Sequence, residues 1–207
     1  MSKLIDVDHL EGWQMAEINL VPRDRTTFED FSRFARDRGW QLDQRSVRAA
    51  RGEESPEFLW RTDNGSTVRL IQSAPLDLSY VVVAGDERDR LADEVRERFP
   101  AFSWPEIIER LSEARSDEER IAAFRLVAAT ESADYDPTVY GAVRTGLDDS
   151  DPLVLLAALG AAFYLRWRQF EPLVRRVSES PQVSENVRVT AGNLLGLTLW
   201  DRGHEGS

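Results

Sequence analysis

His9 and His204, the only histidines, stand near the two ends of the chain, and there is no cysteine. A metal site of imidazoles or thiolates, a Ser-His-Asp relay and a cysteine nucleophile therefore have almost no material to work with. Asp148-Asp149-Ser150-Asp151 groups carboxylates as a calcium loop does, but the following glycine and distant glutamate of such a loop are missing. It reads as an acidic turn ending in a helix cap. Val81-Val82-Val83-Ala84-Gly85-Asp86 leads from strand to helix as phosphate-binding turns do, yet it has a single glycine, no Lys-Ser/Thr and an acid that repels phosphate. It reads as a turn. Arg166-Trp167-Arg168 sets an aromatic between two guanidiniums, an arrangement that can stack on a nucleobase or on a partner's side chain. The same three residues also fit a helix end, with arginines at the negative pole of the helix dipole and Trp167 in the core. None of these groups calls for a cofactor, and no catalysis is expected.

Composition limits the partners. The 207 residues carry 26 basic and 37 acidic side chains, a formal charge of −11, and one lysine, Lys3, beside 25 arginines. The excess is shared: residues 1–103 hold 15 basic and 20 acidic residues, and residues 104–207 hold 11 and 17. Neither half has the dense positive charge that a phosphate backbone requires. Without an apolar leader or an 18-residue apolar run, membrane spanning and secretion lose support, and a cytoplasmic location is expected.

The elements that position these residues have a period. Ser116, Ser150 and Ser184 lie 34 residues apart, each followed by an acid and then by an alanine (Ala123, Ala157, Ala191). Spacing of this size marks helix pairs that bury their apolar faces only against one another. Ser103-Trp104-Pro105-Glu106 and Ser116-Asp117-Glu118-Glu119 fit the S-x-x-E capping box, and Asp136-Pro137 and Asp151-Pro152 fit an aspartate cap with proline at the first helical position. A further helix starts near Arg168. Second helices align as Arg120/Val154/Arg188 and Ile121/Leu155/Val189, and first helices as Ile107/Val139/Leu173 and Leu111/Val143/Val177.

Val187-Arg188-Val189-Thr190-Ala191-Gly192-Asn193-Leu194-Leu195-Gly196 resembles the V-R-x-x-A-x-x-A-L-G signature of the second helix in HEAT-type repeats, and Leu147–Pro152 resembles the turn before it. The resemblance covers about residues 104–200, with departures at Glu119 and Gly160. It implies an all-α solenoid of three helix pairs over residues 103–202, with a flexible tail at 203–207. Certain alkylpurine DNA glycosylases and phycobilin lyases share that architecture, so an enzyme of either kind is the alternative that the resemblance leaves open.

Residues 1–102 have another rhythm. A strand at Trp13–Val21, a helix at Thr26–Arg38, strands at Glu57–Thr62 and Ser66–Gln72 around a two-residue Asn64-Gly65 turn, a strand at Leu78–Ala84 and a helix at Glu87–Phe99 give a small α+β domain, β-α-β-β-β-α. Asp86 is the expected cap of that last helix, and residues 41–56 read as a polar loop with room for a short strand.

From Pro152 to Leu165 there are fourteen residues without a charge, so this helix is apolar on every face. Its cover is either its neighbours together with the N-terminal domain, or another chain. The expected function is a non-catalytic adaptor that binds another protein, a basic one suiting the acidic surface. Repeat-equivalent side chains align into stripes along a solenoid, so the expected contacts are Arg120 with Arg188, Arg125 with Asn193 beside Leu159, and Arg166, Trp167 and Arg168.

Overall fold

The computed structural model describes residues 17–49, 55–130 and 135–197. His9, His204, Trp13–Ala16, the boundary at 202 and the tail from 203 lie outside the described residues.

Valine-rich β5 (Leu78–Ala84) lies inside a five-stranded antiparallel sheet, between β1 (Ile18–Leu20) and β4 (Thr67–Ser73). β3 (Glu57–Arg61) and β2 (Gln41–Leu42) complete the order β1-β5-β4-β3-β2. The register sets Val68 opposite Val83 and Leu70 opposite Val81, so alternate side chains share one face. Helices α1 (Phe28–Asp37) and α3 (Arg88–Arg98) cover it with Phe31, Phe34, Leu91 and Val95, and Phe31 packs on Trp60 and Phe99. β1 is short because Pro22 has no N–H to extend the ladder; it bridges to Ala101 instead.

Three local expectations change. The turn between β3 and β4 has three residues, since the Thr62 N–H donates to the Ser66 carbonyl and the Gly65 N–H to the Thr62 carbonyl, each at 3.0 Å. Positive φ falls on Gly65 (84°) and not on Asn64, whose side-chain oxygen accepts from the Thr62 hydroxyl and the Ser66 N–H. The polar segment after β2 holds a short helix, α2 (Gln44–Ala49), started by the Asp43 carboxylate accepting from the Arg45 N–H at 2.8 Å. Finally, Asp86 does not cap α3: the first helical residue is Arg88, and the Ser66 hydroxyl from the hairpin turn accepts from the Glu87 N–H at 3.4 Å. That contact needs Gly85 (φ 111°), where a Cβ would lie 2.6 Å from the Ser66 oxygen.

The C-terminal half consists of α4 (Trp104–Glu113), α5 (Asp117–Thr130), α6 (Pro137–Leu147), α7 (Pro152–Leu165), α8 (Glu171–Glu179) and α9 (Glu185–Gly196), with a 3₁₀ turn at Arg168–Phe170. α4 packs on α5, α6 on α7 and α8 on α9, while α5 also packs on α7 and α7 on α9. Ser116 accepts from the Glu119 N–H as Glu119 accepts from the Ser116 N–H, a complete capping box. The other two serines of the period do not follow. The α7 cap is Asp151, whose carboxylate accepts from the Leu153 and Val154 N–H groups, and Ser184 starts α9 without a side-chain cap bond.

Counted from its cap, the middle second helix α7 stands one residue off the 34-residue period. Seven residues after the caps Ser116, Asp151 and Ser184 come Ala123, Ala158 and Ala191, all buried, whereas Ala157 is half-buried. Val174 likewise takes the buried place expected of Leu173. An ionised carboxylate is a stronger acceptor than a hydroxyl, and Pro152 suits the first helical position, so Asp151 wins the cap from Ser150.

The charge-free helix α7 is covered mainly by its own neighbours. Val154, Leu155, Ala158, Leu159, Ala162 and Leu165 are buried in the core shared with α5, α6 and α9. Its Tyr164 joins a smaller cluster, Val21, Leu76, Ala128 and Ala129, which ties the second face of the sheet to α5. The Asn19 side chain donates to the Ala129 carbonyl across this junction at 3.2 Å. Among the described residues, no helix is long and apolar enough to cross a membrane.

Candidate interaction surface

With the caps as origin, helices α5, α7 and α9 carry three matched rows outside their core, with Ile121, Leu156 and Ala157 still packed against its edge. Five residues after each cap stand Ile121, Leu156 and Val189; six after, Ala122, Ala157 and Thr190; nine after, Arg125, Gly160 and Asn193. All nine are half-buried or exposed. Positions five, six and nine of a helix lie opposite positions four, seven and eight, where the core residues are. Leu153 (64% exposed), two residues after the Asp151 cap, and Val189 (54%), five after Ser184, fall on this outward side by helical position. A Cβ added at Gly160 would meet nothing within 4 Å, so this glycine leaves open floor.

The sheet forms a wall beside that floor. Leu76, at the tip of the β4–β5 hairpin, is buried against Ala128 and Ala129. Asp77, held at φ 51°, reaches Arg125 at 3.4 Å. A cleft of about 540 Å³ is lined by the apolar Val21, Leu78, Phe102 and Leu126 and by Arg23, Arg25, Asp24 and Asp77, charges of both signs. Arg23 bonds Glu106 and lies over the Phe102 ring at 5.1 Å. The backbone N–H of Ser103, then Arg23 and the Ser103 hydroxyl, hold the Glu106 carboxyl down to about 2 from its ordinary 4.5. Among the described residues no group of three metal-ligating side chains is present.

The expected contact residues divide. Arg120 is engaged: it pairs with Asp117 in its own helix and with Asp149 in the turn before α7. Burial would raise the Asp149 carboxyl, but the Asp151 N–H and the Arg120 guanidinium outweigh it and the net shift is downward. Asp148, next in that turn, pairs with Arg176 of α8. The acidic run is thus a clasp between helices. The Arg120/Arg188 stripe is broken in the middle, because Val154 is buried, and so is Leu159 beside Arg125 and Asn193. Gly160 is the surface counterpart of Arg125 and Asn193 after the one-residue shift.

Trp167 is 6% exposed, stacked on Phe170 at 5.6 Å with an interplanar angle of 11° and covered by the half-exposed Tyr135 at 5.1 Å. It is core, while Arg166, the C-cap of α7 at φ 56°, and Arg168 face solvent on either side. Arg188 is half-buried, and its Nε has no partner among the described residues. Leu153, Leu156 and Gly160 were not legible as contact residues from a uniform 34-residue period; the absence of charge in α7 was their only signal.

In comparisons with protein-family models, curated proteins and solved structures, nothing matches the chain.

Proposed function

We propose that helices α4–α9 act as a short HEAT-like solenoid of three pairs, that the α+β part packs on its first end, and that the whole is a non-catalytic adaptor binding another protein. One observation carries the reading: the outward side of α5, α7 and α9 combines aligned rows, exposed Leu153 and Val189 and open glycine floor, with no charged residue of α7 in it. An aliphatic surface of this kind, rimmed by polar groups, is a property of protein-binding faces. The net charge of −11 favours a basic partner and would speed its encounter. The glycosylase alternative asks for tryptophan, aspartate and arginine exposed together on a DNA-facing surface; here Trp167 is in the core and Arg120 and Asp149 are spent on each other.

The test compares the full chain with a Leu153→Asp/Val189→Asp variant as baits in extracts of the native host, with quantitative mass spectrometry and a thermal melt as the check on folding. A stoichiometric partner retained by the native chain and lost by the equally folded variant supports the proposal. Identical recovery by both baits refutes it. Tight, salt-sensitive shifting of duplex DNA would favour the enzyme alternative instead.

A further inference from the structure

The cleft at the sheet exists because the first strand leaves early. β1 faces β5 only from the Ile18–Val83 pair to the Leu20–Val81 pair, and Pro22 then turns to Ala101. The edge of β5 at Leu78 and Ser79 therefore has no paired strand on that side among the described residues, and the cleft of about 540 Å³ opens there. That volume lies within the range of about 300–1,000 Å³ typical of small-ligand sites.

Its polar groups are unused and within reach. Gln72 and Ser79 stand opposite each other in the β4–β5 register, and neither side chain makes a hydrogen bond among the described residues. Ser79 is 7% exposed, yet its hydroxyl is not shut off from solvent as Arg188 Nε and Trp167 Nε1 are; the cleft is its opening. A hydroxyl and a carboxamide side by side each offer a donor and an acceptor, which is what a peptide bond needs.

The charges leave one of each sign free. Arg23 is held by Glu106 and Asp77 by Arg125, whereas Asp24 and Arg25, both exposed and adjacent in the chain, form no ion pair with each other or with any described residue. A lone anion in the cleft would meet Asp24 and Asp77, and a lone cation would meet Arg23 and Arg25. A molecule that carries both charges satisfies both, and its apolar part finds Val21, Leu78, Phe102 and Leu126.

We infer that this cleft binds a short peptide with free termini and apolar side chains, its carboxylate toward Arg25, its ammonium toward Asp24 and its peptide bond at Gln72 and Ser79. The site is separate from the outward face of α5, α7 and α9, so either reading can fail while the other stands.

The probe is the dipeptide Leu-Leu, titrated into the isotope-labelled full-length protein while the amides of Gln72, Leu78, Ser79 and Phe102 are followed by NMR. Contacts at an open rim give affinity of about 1 mM, so the titration runs to roughly 10 mM. The expected result is a saturable shift at these amides. It should weaken about tenfold for acetylated, amidated Leu-Leu, which keeps the side chains and loses both charges, and about tenfold for Gly-Gly, which keeps the charges and loses the side chains. Arg25→Gln, at an exposed position, should weaken Leu-Leu about fivefold while leaving the blocked dipeptide and the melting temperature unchanged. Absence of a saturable shift, equal binding of Leu-Leu and either control, or unaltered Leu-Leu binding by Arg25→Gln each overturns the inference.

Discussion

Replacing Gly146 by alanine adds one methyl where three helices meet. The new Cβ would lie 2.7 Å from Cζ of Phe124 on α5 and 2.9 Å from Cβ of Ala158 on α7. Neither neighbour can yield easily: Phe124 is 2% exposed, and the Ala158 methyl moves only with its helix. Overpacking of this kind costs about 1–3 kcal/mol. Gly141, in the same helix, is the control, because a Cβ there meets nothing within 4 Å. Alanine at that position should stabilise by about 0.5–1 kcal/mol through the backbone entropy that glycine loses on folding. Urea unfolding at 25 °C should therefore move the two variants in opposite directions, and melting temperatures should follow at roughly 2–4 °C per kcal/mol for a chain of this length. Phe124→Leu should relieve the Gly146→Ala cost, with a coupling energy of about 1 kcal/mol or more in a double-mutant cycle. If both alanine variants stabilise, or if the coupling is absent, α5, α6 and α7 are not packed as described, and the rows on their outward side lose their register.

Other outcomes follow from the same contacts. Leu76→Ala should cost about 2–4 kcal/mol, as a large buried side chain does, and should raise hydrogen exchange in both β5 and the end of α5. Asp149→Asn leaves Arg120 with a weaker acceptor and should cost about 1–2 kcal/mol in denaturant unfolding, while Asp148→Asn, whose pair with Arg176 is half-exposed, should change little. Glu106 is held in the folded state at about 2 against an ordinary 4.5, so its stabilising share is complete above pH 4.5 and is lost as the pH falls toward 2. Glu106→Gln should flatten that part of the acid-unfolding curve, which a pH series of thermal melts reads directly.

Local chemistry in the sequence was informative wherever one residue settles one bond. Leu78–Ala84 forms β5 to the residue, Asp136 and Asp151 cap their helices, and the Arg168 start appears as a 3₁₀ turn leading into α8. What misled was competition between neighbours. The 34-residue period runs through Ser150 although the cap is its neighbour Asp151, and that alignment displaces the middle helix by one position and hides Gly160 and Leu156 from the surface rows. The Glu87 N–H finds its acceptor in Ser66, 21 residues earlier in the chain, and no local pattern announces such a bond. The helix α2 went unread because its six residues are too short for periodicity, although Asp43 gave the one available sign of it.

The patch formed by Leu76, Val21 and the paired alanines of α5 bears on how the molecule comes apart. Severing the chain near residue 102 would strip Leu126, Ala128 and Ala129 of their cover and leave the Ala129 carbonyl without the Asn19 amide. Sheet and helices should thus melt as one cooperative unit, with calorimetric and van't Hoff enthalpies in agreement. The seam between them is a shared interior, not a hinge.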